Sequence, residues 1–132
     1  MADNDYPDKT LHAPWQSAAS MFDETWGYRA WQDRGCIENK VREKTRSLIN
    51  VVSRGGNYLL NIGPKGNGAV VDFEKEVLEQ VGDWLSRYGY AVYQTEASPF
   101  QEEFTWGEVT RKDNHLYLFL SGKYPADGKI TL

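Results

Sequence analysis

Three large aromatic side chains, Trp26, Tyr28 and Trp31, stand close together in the segment FDETWGYRAWQDRG, residues 22–35. Acids, arginines and glycines surround them, and the apolar positions follow neither the period of a strand nor that of a helix. In a loop, such aromatic faces can stack on the apolar face of a sugar while carboxylates and arginines hydrogen-bond its hydroxyl groups. The alternative is that the aromatics only cap the rim of a core, and composition favours neither interpretation.

Other residue types that carry chemistry are sparse. Asp23 and Glu24 could serve acid–base chemistry, although adjacent acids in a polar loop are usually solvated or bound to an arginine. Cys36 with His12 or His115 could form a Cys–His nucleophile, but a loop thiol and two surface histidines are the simpler interpretation. The three residues are too sparse for a zinc site. We therefore expect neither a metal nor a nucleophilic thiol.

The segment GPKGNG, residues 63–68, invites comparison with phosphate-binding loops. It lacks the GK[ST] ending of a P-loop and the GxGxxG spacing of a dinucleotide fold. A small phosphate- or nucleotide-binding α/β protein is therefore a weak hypothesis. A tight turn whose glycines need positive φ is the favoured interpretation.

Composition bounds the class of protein. The chain has 132 residues, 40% of them hydrophobic, 14% aromatic and 26% charged, which is enough apolar surface for a packed core. The net charge of −4 argues against nucleic acid, which requires a basic surface. No apolar run reaches the length of a membrane span. The polar, acidic start MADNDYPDKT does not resemble a signal peptide, and a single cysteine excludes an internal disulfide.

The hydrophobic pattern predicts the elements that position the aromatic loop. After a leading loop at 1–14, it predicts a strand at 15–22, a helix at 39–54, a strand at 57–62, a Gly/Pro loop at 63–70 and a second helix ending at Gly89. The apolar stripe of the first helix comprises Val41, Thr45, Leu48, Ile49 and Val52; that of the second comprises Phe73, Val77, Leu78, Val81, Trp84, Leu85 and Tyr88.

Local signals refine these boundaries. Gly55 and Gly56 predict a left-handed stop after the first helix. Asp72 is a candidate cap for the second helix, and Glu74 and Glu76 suit its positive amino-terminal end. The nearly continuous apolar run NYLLNI at 57–62 is typical of a strand covered on both faces, as in a parallel sheet.

The last part of the chain has a different pattern. A connector at 91–100 leads into a β-rich region at 105–132, with turns predicted at KDN and PADG and strands at Val109, 116–120 and 130–132.

The order strand–helix–strand–helix indicates two consecutive βα units. Two parallel strands cannot bury both faces alone, so we expect a quarter of an eightfold barrel, or the edge of an open sheet, followed by the beginning of a β domain. The chain ends on the strand-like KITL, which we interpret as an incomplete fragment. In barrels the active site lies in loops after the strands, here 23–38 and 63–72.

Several segments together are similar to the retaining α-L-fucosidase family of glycoside hydrolases. GGNYLLNIGPKGNG resembles the family's last barrel strand and loop, and VGDWLSRYGYAVYQT its following helix. DETWGY and EFTWGEVTRKDNHLYLFL resemble its pocket segment and the start of its β-sandwich domain. The resemblance runs in order from about Trp15 to the end. It implies the last two βα units of a (β/α)₈ TIM-like barrel at 1–96 and the first strands of a β-sandwich at 97–132.

The resemblance also implies an activity. Such enzymes remove terminal α-linked L-fucose with retention, using an Asp nucleophile and a carboxylic acid/base about 5 Å apart, with no metal or organic cofactor. Trp26 matches the aromatic residue that contacts the fucose ring, and Tyr28 and Trp31 extend this wall. Both catalytic carboxylates are expected upstream of Met1, so no catalytic residue is assigned in this chain, which is expected to be inactive alone. Gln16 and Tyr90 depart from the glutamates common at their positions.

Three functional hypotheses remain open at this point. The first is part of an exo-acting α-L-fucosidase whose partner is a fucosylated glycan or glycoconjugate, with neither nucleic acid nor membrane as a partner. The second is a non-catalytic truncated module that at most binds sugar through Trp26, and the third is the phosphate-binding protein. Uncovered barrel edges predict self-association. The resemblance implies a secreted, periplasmic or lysosomal parent enzyme.

Overall fold

The computed structural model describes residues 5–123 and 125–132, so the first four residues of the predicted leading loop lie outside the described residues. The described elements, in chain order, are strand β1 (Gln16–Ser20), helix α1 (Ile37–Ser53), strand β2 (Asn57–Asn61), helix α2 (Asp72–Tyr88), a short 3₁₀ helix (Gly89–Ala91), strand β3 (Gly107–Lys112) and strand β4 (His115–Leu120). The predicted alternation of strand and helix is confirmed.

Strands β1 and β2 pair in parallel, with Gln16 opposite Asn57 and Ser20 opposite Asn61. Helices α1 and α2 pack on one face of this pair. The core between them contains Met21, Phe22, Val77 and Val81, with the flanking side chains Ile37, Val41, Leu60, Ile62, Phe73, Leu78 and Leu85. The core therefore includes Val41 of the stripe predicted for α1 and most of the stripe predicted for α2, whereas Trp84 packs on Phe119 of β4 and Tyr88 is exposed.

The prediction that 57–62 is covered on both faces is wrong for the described residues. Leu60 packs against the helical core, whereas Leu59 is 49% exposed. The physical reason is that successive side chains of a strand point to opposite faces while both helices lie on the same one. The opposite face of the sheet thus carries an uncovered apolar side chain.

The helix ends follow the glycine signal only in part. Gly55 has φ +79°, and its N–H binds the Val52 carbonyl at 3.0 Å, as a left-handed helix stop requires. Gly56 is not left-handed; a Cβ there would overlap the Trp15 indole. The cap predicted at Asp72 is also wrong. The residue before α2 is Val71, which makes no side-chain cap, and Asp72 is already helical.

The β-rich region forms one antiparallel hairpin. Gly107 pairs with Leu120 and Lys112 with His115, and the predicted KDN turn is confirmed with Asp113 at φ 51°. The predicted PADG turn is confirmed by the Gly128 N–H, which binds the Pro125 carbonyl at 3.0 Å. The strand predicted at 130–132 is wrong, because these residues pair with no strand in the described chain.

The hairpin contacts the carboxyl-terminal ends of the helices. Glu108 of β3 accepts a hydrogen bond from the Ser53 hydroxyl at 3.2 Å and lies 3.3 Å from the Arg54 guanidinium. Thr110 donates to the Ala91 carbonyl at 2.7 Å. The loops that follow β1 and β2 therefore lie at the opposite end of the sheet from the hairpin. No helix of the described chain is long and apolar enough to cross a membrane.

Candidate functional site

Two loops follow the carboxyl ends of β1 and β2, and we call them the aromatic loop (residues 21–36) and the glycine loop (residues 62–71). Since the two strands are parallel neighbours, their carboxyl ends meet at the same edge and bring the loops side by side. The two loops predicted at 23–38 and 63–72 are thus confirmed as neighbours.

The two loops touch through their backbones at glycine. Gly63 is buried, and a Cβ placed on it would lie 2.8 Å from the Gly27 carbonyl carbon and 2.9 Å from the Tyr28 nitrogen. The φ angle of Gly63 is not left-handed, so this glycine is needed for close approach and not for its backbone conformation. The prediction that the loop's glycines need positive φ holds for Gly68, at +83°, and is wrong for Gly63.

The backbone of the aromatic loop is fixed beside this contact. Asn61, the last residue of β2, donates from its side-chain Nδ2 to the Trp26 carbonyl at 2.7 Å. The Thr25 hydroxyl accepts from the Gly27 N–H at 3.1 Å. The backbone around Trp26 is therefore held by β2 on one side and by a local turn on the other.

The three predicted site residues occupy different settings within this loop. Trp26 and Tyr28 flank Gly27, at the contact with the glycine loop, and their side chains are 39% and 41% exposed. Trp31 is 76% exposed, and the Arg29 guanidinium lies over its ring at 5.0 Å from the centroid. The structure thus places Trp26 and Tyr28 at the edge shared by both strands and places Trp31 farther along the loop.

An arginine braces the aromatic loop from within. Arg34 donates to the Arg29 carbonyl at 3.0 Å and to the Gln32 carbonyl at 3.2 Å. Gln32 in turn donates to the Glu24 carboxylate at 3.3 Å, and Arg29 donates to the Glu24 backbone carbonyl at 2.8 Å. The loop is irregular in secondary structure, yet these hydrogen bonds give it a defined shape.

Sequence reasoning missed Glu74 as a member of this site. Its side chain is 3% exposed, and its carboxylate accepts a hydrogen bond from the Gly63 N–H at 3.0 Å. Burial raises the pKa of Glu74, while the Gly63 N–H and the positive charge of Arg34 act in the opposite direction. The available signal was its spacing, since Glu74 stands three and seven residues before Val77 and Val81 of the buried face.

The other candidates are separated from this edge. Cys36 donates to the Glu38 carboxylate at 2.6 Å, which lowers the pKa of Glu38. His12 lines a cavity near Arg54 at the opposite end of the sheet, and His115 stacks on Tyr117 in β4. The Cys–His arrangement is therefore not formed. Within residues 5–123 and 125–132, no group of three metal-ligating side chains comes together.

Three backbone N–H groups of the glycine loop, those of Lys65, Gly68 and Ala69, are engaged within the loop. The Gly68 N–H binds the Lys65 carbonyl at 2.8 Å, and the Lys65 N–H binds the Ala69 carbonyl at 2.9 Å. The Ala69 N–H binds the Asn67 side chain at 3.1 Å. A phosphate-binding loop needs such N–H groups directed at the ligand, so this geometry argues against the phosphate-binding hypothesis.

One cavity of the described chain lies away from the aromatic loop. It has a volume of about 760 Å³ and is lined by residues around Arg54, Phe100 and Glu108. The aromatic loop forms one open wall rather than an enclosed pocket, since the sheet beneath it has two strands. This cavity therefore does not identify the candidate site, whereas strand direction and residue type do.

Comparison with known proteins gives one consistent result. A family model described as alpha-L-fucosidase matches residues 1–90. The tissue alpha-L-fucosidase of Rattus norvegicus is 37% identical over 123 residues, covering 89% of this chain and 26% of that protein. The tissue enzyme of Mus musculus is 41% identical over 121 residues, with the same coverage.

Solved structures agree. The alpha-L-fucosidase from Vibrio sp. strain EJY3 superposes with a TM-score of 0.80 at 35% identity, over 89% of this chain and 20% of that one. Isoenzyme 1 from Paenibacillus thiaminolyticus gives 0.77 at 28% identity, over 86% and 27%. The chain thus spans about a quarter of the length of the curated relatives it matches.

Proposed function

The chain belongs to the α-L-fucosidase family of glycoside hydrolases, and on that premise we propose that it forms part of an exo-acting, retaining α-L-fucosidase. In this proposal residues 1–96 supply the last two βα units of a (β/α)₈ barrel, and residues 97–132 supply the first strands of a β-sandwich domain. The parallel β1–β2 pair and the separate β3–β4 hairpin support this division. Strands in a (β/α)₈ barrel are parallel, as β1 and β2 are, and strands in a β-sandwich are antiparallel, as β3 and β4 are.

The observation that carries the proposal is the position of the aromatic loop. Trp26 and Tyr28 stand at the carboxyl edge of the parallel strands, where barrel enzymes build their active sites. Fucose has a methyl group at C6 and therefore more apolar surface than most hexoses. We assign Trp26 to the wall that contacts the fucose ring, with Tyr28 and Trp31 extending that wall.

The substrate class follows from the family. We propose a fucosylated glycan or glycoconjugate as the partner of the whole enzyme. Among the structural relatives, a bacterial fucosidase was solved with an iminocyclitol inhibitor, and an enzyme from Bacteroides thetaiotaomicron was trapped as a covalent intermediate with 2-fluoro-fucosyl fluoride. Tissue and plasma enzymes among the curated relatives support a lysosomal or secreted parent.

The chemistry requires two carboxyl groups that we do not assign in this chain. In a retaining mechanism one carboxylate attacks the anomeric carbon and a second protonates the leaving oxygen, with the groups about 5 Å apart. Asp23 and Glu24 are exposed, and the Glu24 carboxylate accepts a hydrogen bond from Gln32 within its own loop. We therefore propose that both catalytic carboxylates lie upstream, the nucleophile on an earlier barrel strand and the acid/base in a loop, and that this chain is inactive alone.

A second candidate function is a non-catalytic module that binds sugar through Trp26. The bracing of the aromatic loop by Arg34 and Asn61 favours it, because that wall keeps its shape without further loops. For the isolated chain we also propose that copies associate with one another through uncovered sheet surface. The exposed Leu59 on the open face of β2 supports this.

The test is hydrolysis of an aryl α-L-fucoside by the purified 132-residue chain, with its folding checked by circular dichroism. We expect no turnover, and turnover by folded protein would contradict the assignment of both carboxylates upstream. An L-fucose titration followed by tryptophan fluorescence then tests the second candidate. Trp26→Ala should abolish the fluorescence change, and Trp31→Ala should reduce it by less, because Trp31 only extends the wall.

A further inference from the structure

We infer that Glu74 is a positioning residue: through the hydrogen bond it accepts from Gly63, it holds the glycine loop against the aromatic loop and so sets the position of Trp26 and Tyr28. The inference rests on the proposed role of Trp26 as part of the sugar-binding wall. It adds a residue from helix α2 that does not itself face the sugar.

The first step is the burial of a carboxylate at an unusual place. Glu74 lies in the first turn of α2, on the same face as Val77, and only 3% of it is exposed. Its neighbours Lys75 and Glu76 are exposed, as charged residues of a surface helix usually are. Burying a charged group is costly unless it is hydrogen-bonded or paired. A specific partner is therefore needed, and the partner is a backbone group of the glycine loop.

The second step is the hydrogen bond itself. Gly63 is the second residue of the glycine loop, two residues after the end of β2, where its N–H has left the sheet ladder. The Glu74 carboxylate accepts this buried N–H at 3.0 Å. Without that acceptor the N–H would be buried and unsatisfied, which native structures avoid. Glu74 therefore fixes where the chain turns after β2.

The third step is transmission to the aromatic loop. Gly63 is pressed against the backbone of Gly27 and Tyr28, so closely that a Cβ would lie 2.8–2.9 Å from their atoms. A shift of Gly63 must therefore move the segment between Trp26 and Tyr28. Asn61, two residues before Gly63, also donates to the Trp26 carbonyl. The aromatic loop is therefore held at two points, by Asn61 at Trp26 and by Gly63 at Gly27.

The fourth step is the electrostatic setting. The positive charge of Arg34 favours the ionised form of Glu74. Arg34 also donates to two carbonyls of the aromatic loop, those of Arg29 and Gln32. Arg34 is fastened to the aromatic loop and Glu74 to the glycine loop, so the attraction between their charges acts across the two loops.

The experiment compares four variants of the 132-residue chain: Glu74→Ala, Glu74→Gln, Glu74→Asp and the exposed control Glu76→Ala. The readouts are the L-fucose dissociation constant and the ¹H–¹⁵N resonances of the Gly63 amide and the Trp26 indole. Glutamine keeps an acceptor at the same reach, aspartate is one methylene too short, and alanine removes the acceptor. Circular dichroism and thermal unfolding establish that each variant is folded.

We expect Glu74→Ala and Glu74→Asp to shift both resonances and to weaken L-fucose binding about tenfold or more. Glu74→Gln should restore both readouts to near wild type, and Glu76→Ala should leave them unchanged. A merely structural role would lower thermal stability without this selective rescue by glutamine. If Glu74→Gln behaves like Glu74→Ala, or if Glu74→Ala leaves the Trp26 indole in place, the inference is overturned.

The two proposals fail in different ways. If the wild-type chain shows no response to L-fucose, the assignment of Trp26 to the sugar wall fails. The Gly63 and Trp26 resonances in the unliganded variants still decide whether Glu74 positions the loops. If Glu74→Ala lacks folded structure, Glu74→Asp and Glu74→Gln are compared instead, and equal indole positions in these two would contradict the inference.

Discussion

The aromatic loop and the glycine loop leave the same edge of one sheet, yet they contribute in opposite ways. The aromatic loop presents Trp26 and Tyr28 and is braced by side chains of its own, chiefly Arg34. The glycine loop presents backbone at the contact and is held from outside by Glu74 of α2. In the proposed sugar-binding wall, one loop supplies the aromatic side chains and the other supports them. Residue type identifies the first kind of residue, while only geometry identifies the second.

The largest expected effect comes from placing a methyl group at the contact between the loops. Gly63→Ala puts a Cβ within 3 Å of the Gly27 and Tyr28 backbone. Backbone atoms cannot rotate away as a flexible side chain can, so the aromatic loop must shift. We expect a loss of about 2 kcal/mol or more in the free energy of unfolding, measured by urea denaturation.

The matched control for this change lies in the same loop. A methyl group added at Gly66 would meet no atom of the described chain within 4 Å, and the φ angle of Gly66 is not left-handed. Gly66→Ala should therefore change stability by less than about 1 kcal/mol, in either direction. Equal losses in the two variants would show that the loop contact has no special role.

A smaller effect is expected from the side chain that ties β2 to the aromatic loop. Asn61→Ala removes the donor to the Trp26 carbonyl. Because this hydrogen bond is partly solvated, we expect a loss of about 0.5–1 kcal/mol and a shifted Trp26 indole resonance. Asn57→Ala, at the exposed start of the same strand, should leave that resonance in place. An unmoved indole in Asn61→Ala would contradict the support role of β2.

A smaller change in the free energy of unfolding is expected from removing Trp31. Its ring is 76% exposed and meets the Arg29 guanidinium over its face. An exposed cation–π pair contributes about 0.5–1 kcal/mol, so Trp31→Ala should lower the free energy of unfolding by no more than that. A loss comparable to that of Gly63→Ala would mean that Trp31 belongs to the support of the loop rather than to its surface.

The smallest effect is a pH dependence at Glu74. Its pKa is raised in the folded chain, chiefly by burial, so the folded state holds this proton more tightly than the unfolded state. The associated stability is present at acid pH and is lost as pH rises through the raised pKa. Glu74→Gln does not titrate, and its stability relative to wild type should therefore increase from acid to neutral pH.

Urea denaturation of the wild-type chain and of Glu74→Gln from acid to neutral pH measures the difference between their free energies of unfolding. The contributions of the other titrating groups cancel in this difference. A relative stability of Glu74→Gln that falls as pH rises would mean that hydrogen bonding and Arg34 outweigh burial at this site.

The sequence predicts the elements well because their signals are local. Period and glycine placement indicated α1, β2 and α2, and the turns at KDN and PADG appear where expected. Predictions that depend on contacts with other strands or helices are wrong. The strand at 130–132 has the right residue types but nothing to pair with in the described chain, and the apolar run at 57–62 is covered on one face only.

The candidate site divides in the same way. The place of Trp26, Tyr28 and Trp31 in a loop after β1 was predictable from the strand pattern, and their contact with a sugar stays a proposal. Glu74 was interpreted as a residue that suits the helix dipole, because an acid in the first turn of a helix ordinarily does so. Its place on the buried face follows from its spacing to Val77 and Val81, but its partner Gly63 comes from another element, so no local pattern reports that contact. The close approach of Gly63 to Gly27 is likewise a property of two loops together.

We propose that Trp26 contacts fucose. The most direct measurement is a titration of the ¹⁵N-labelled chain with L-fucose and, separately, with its mirror image D-fucose, following the Trp26 indole resonance. We predict a saturable shift of this resonance with L-fucose and little or none with D-fucose, while the Trp31 indole moves less in both. Equal responses to the two sugars, or a response at other indoles with Trp26 unmoved, would contradict the account.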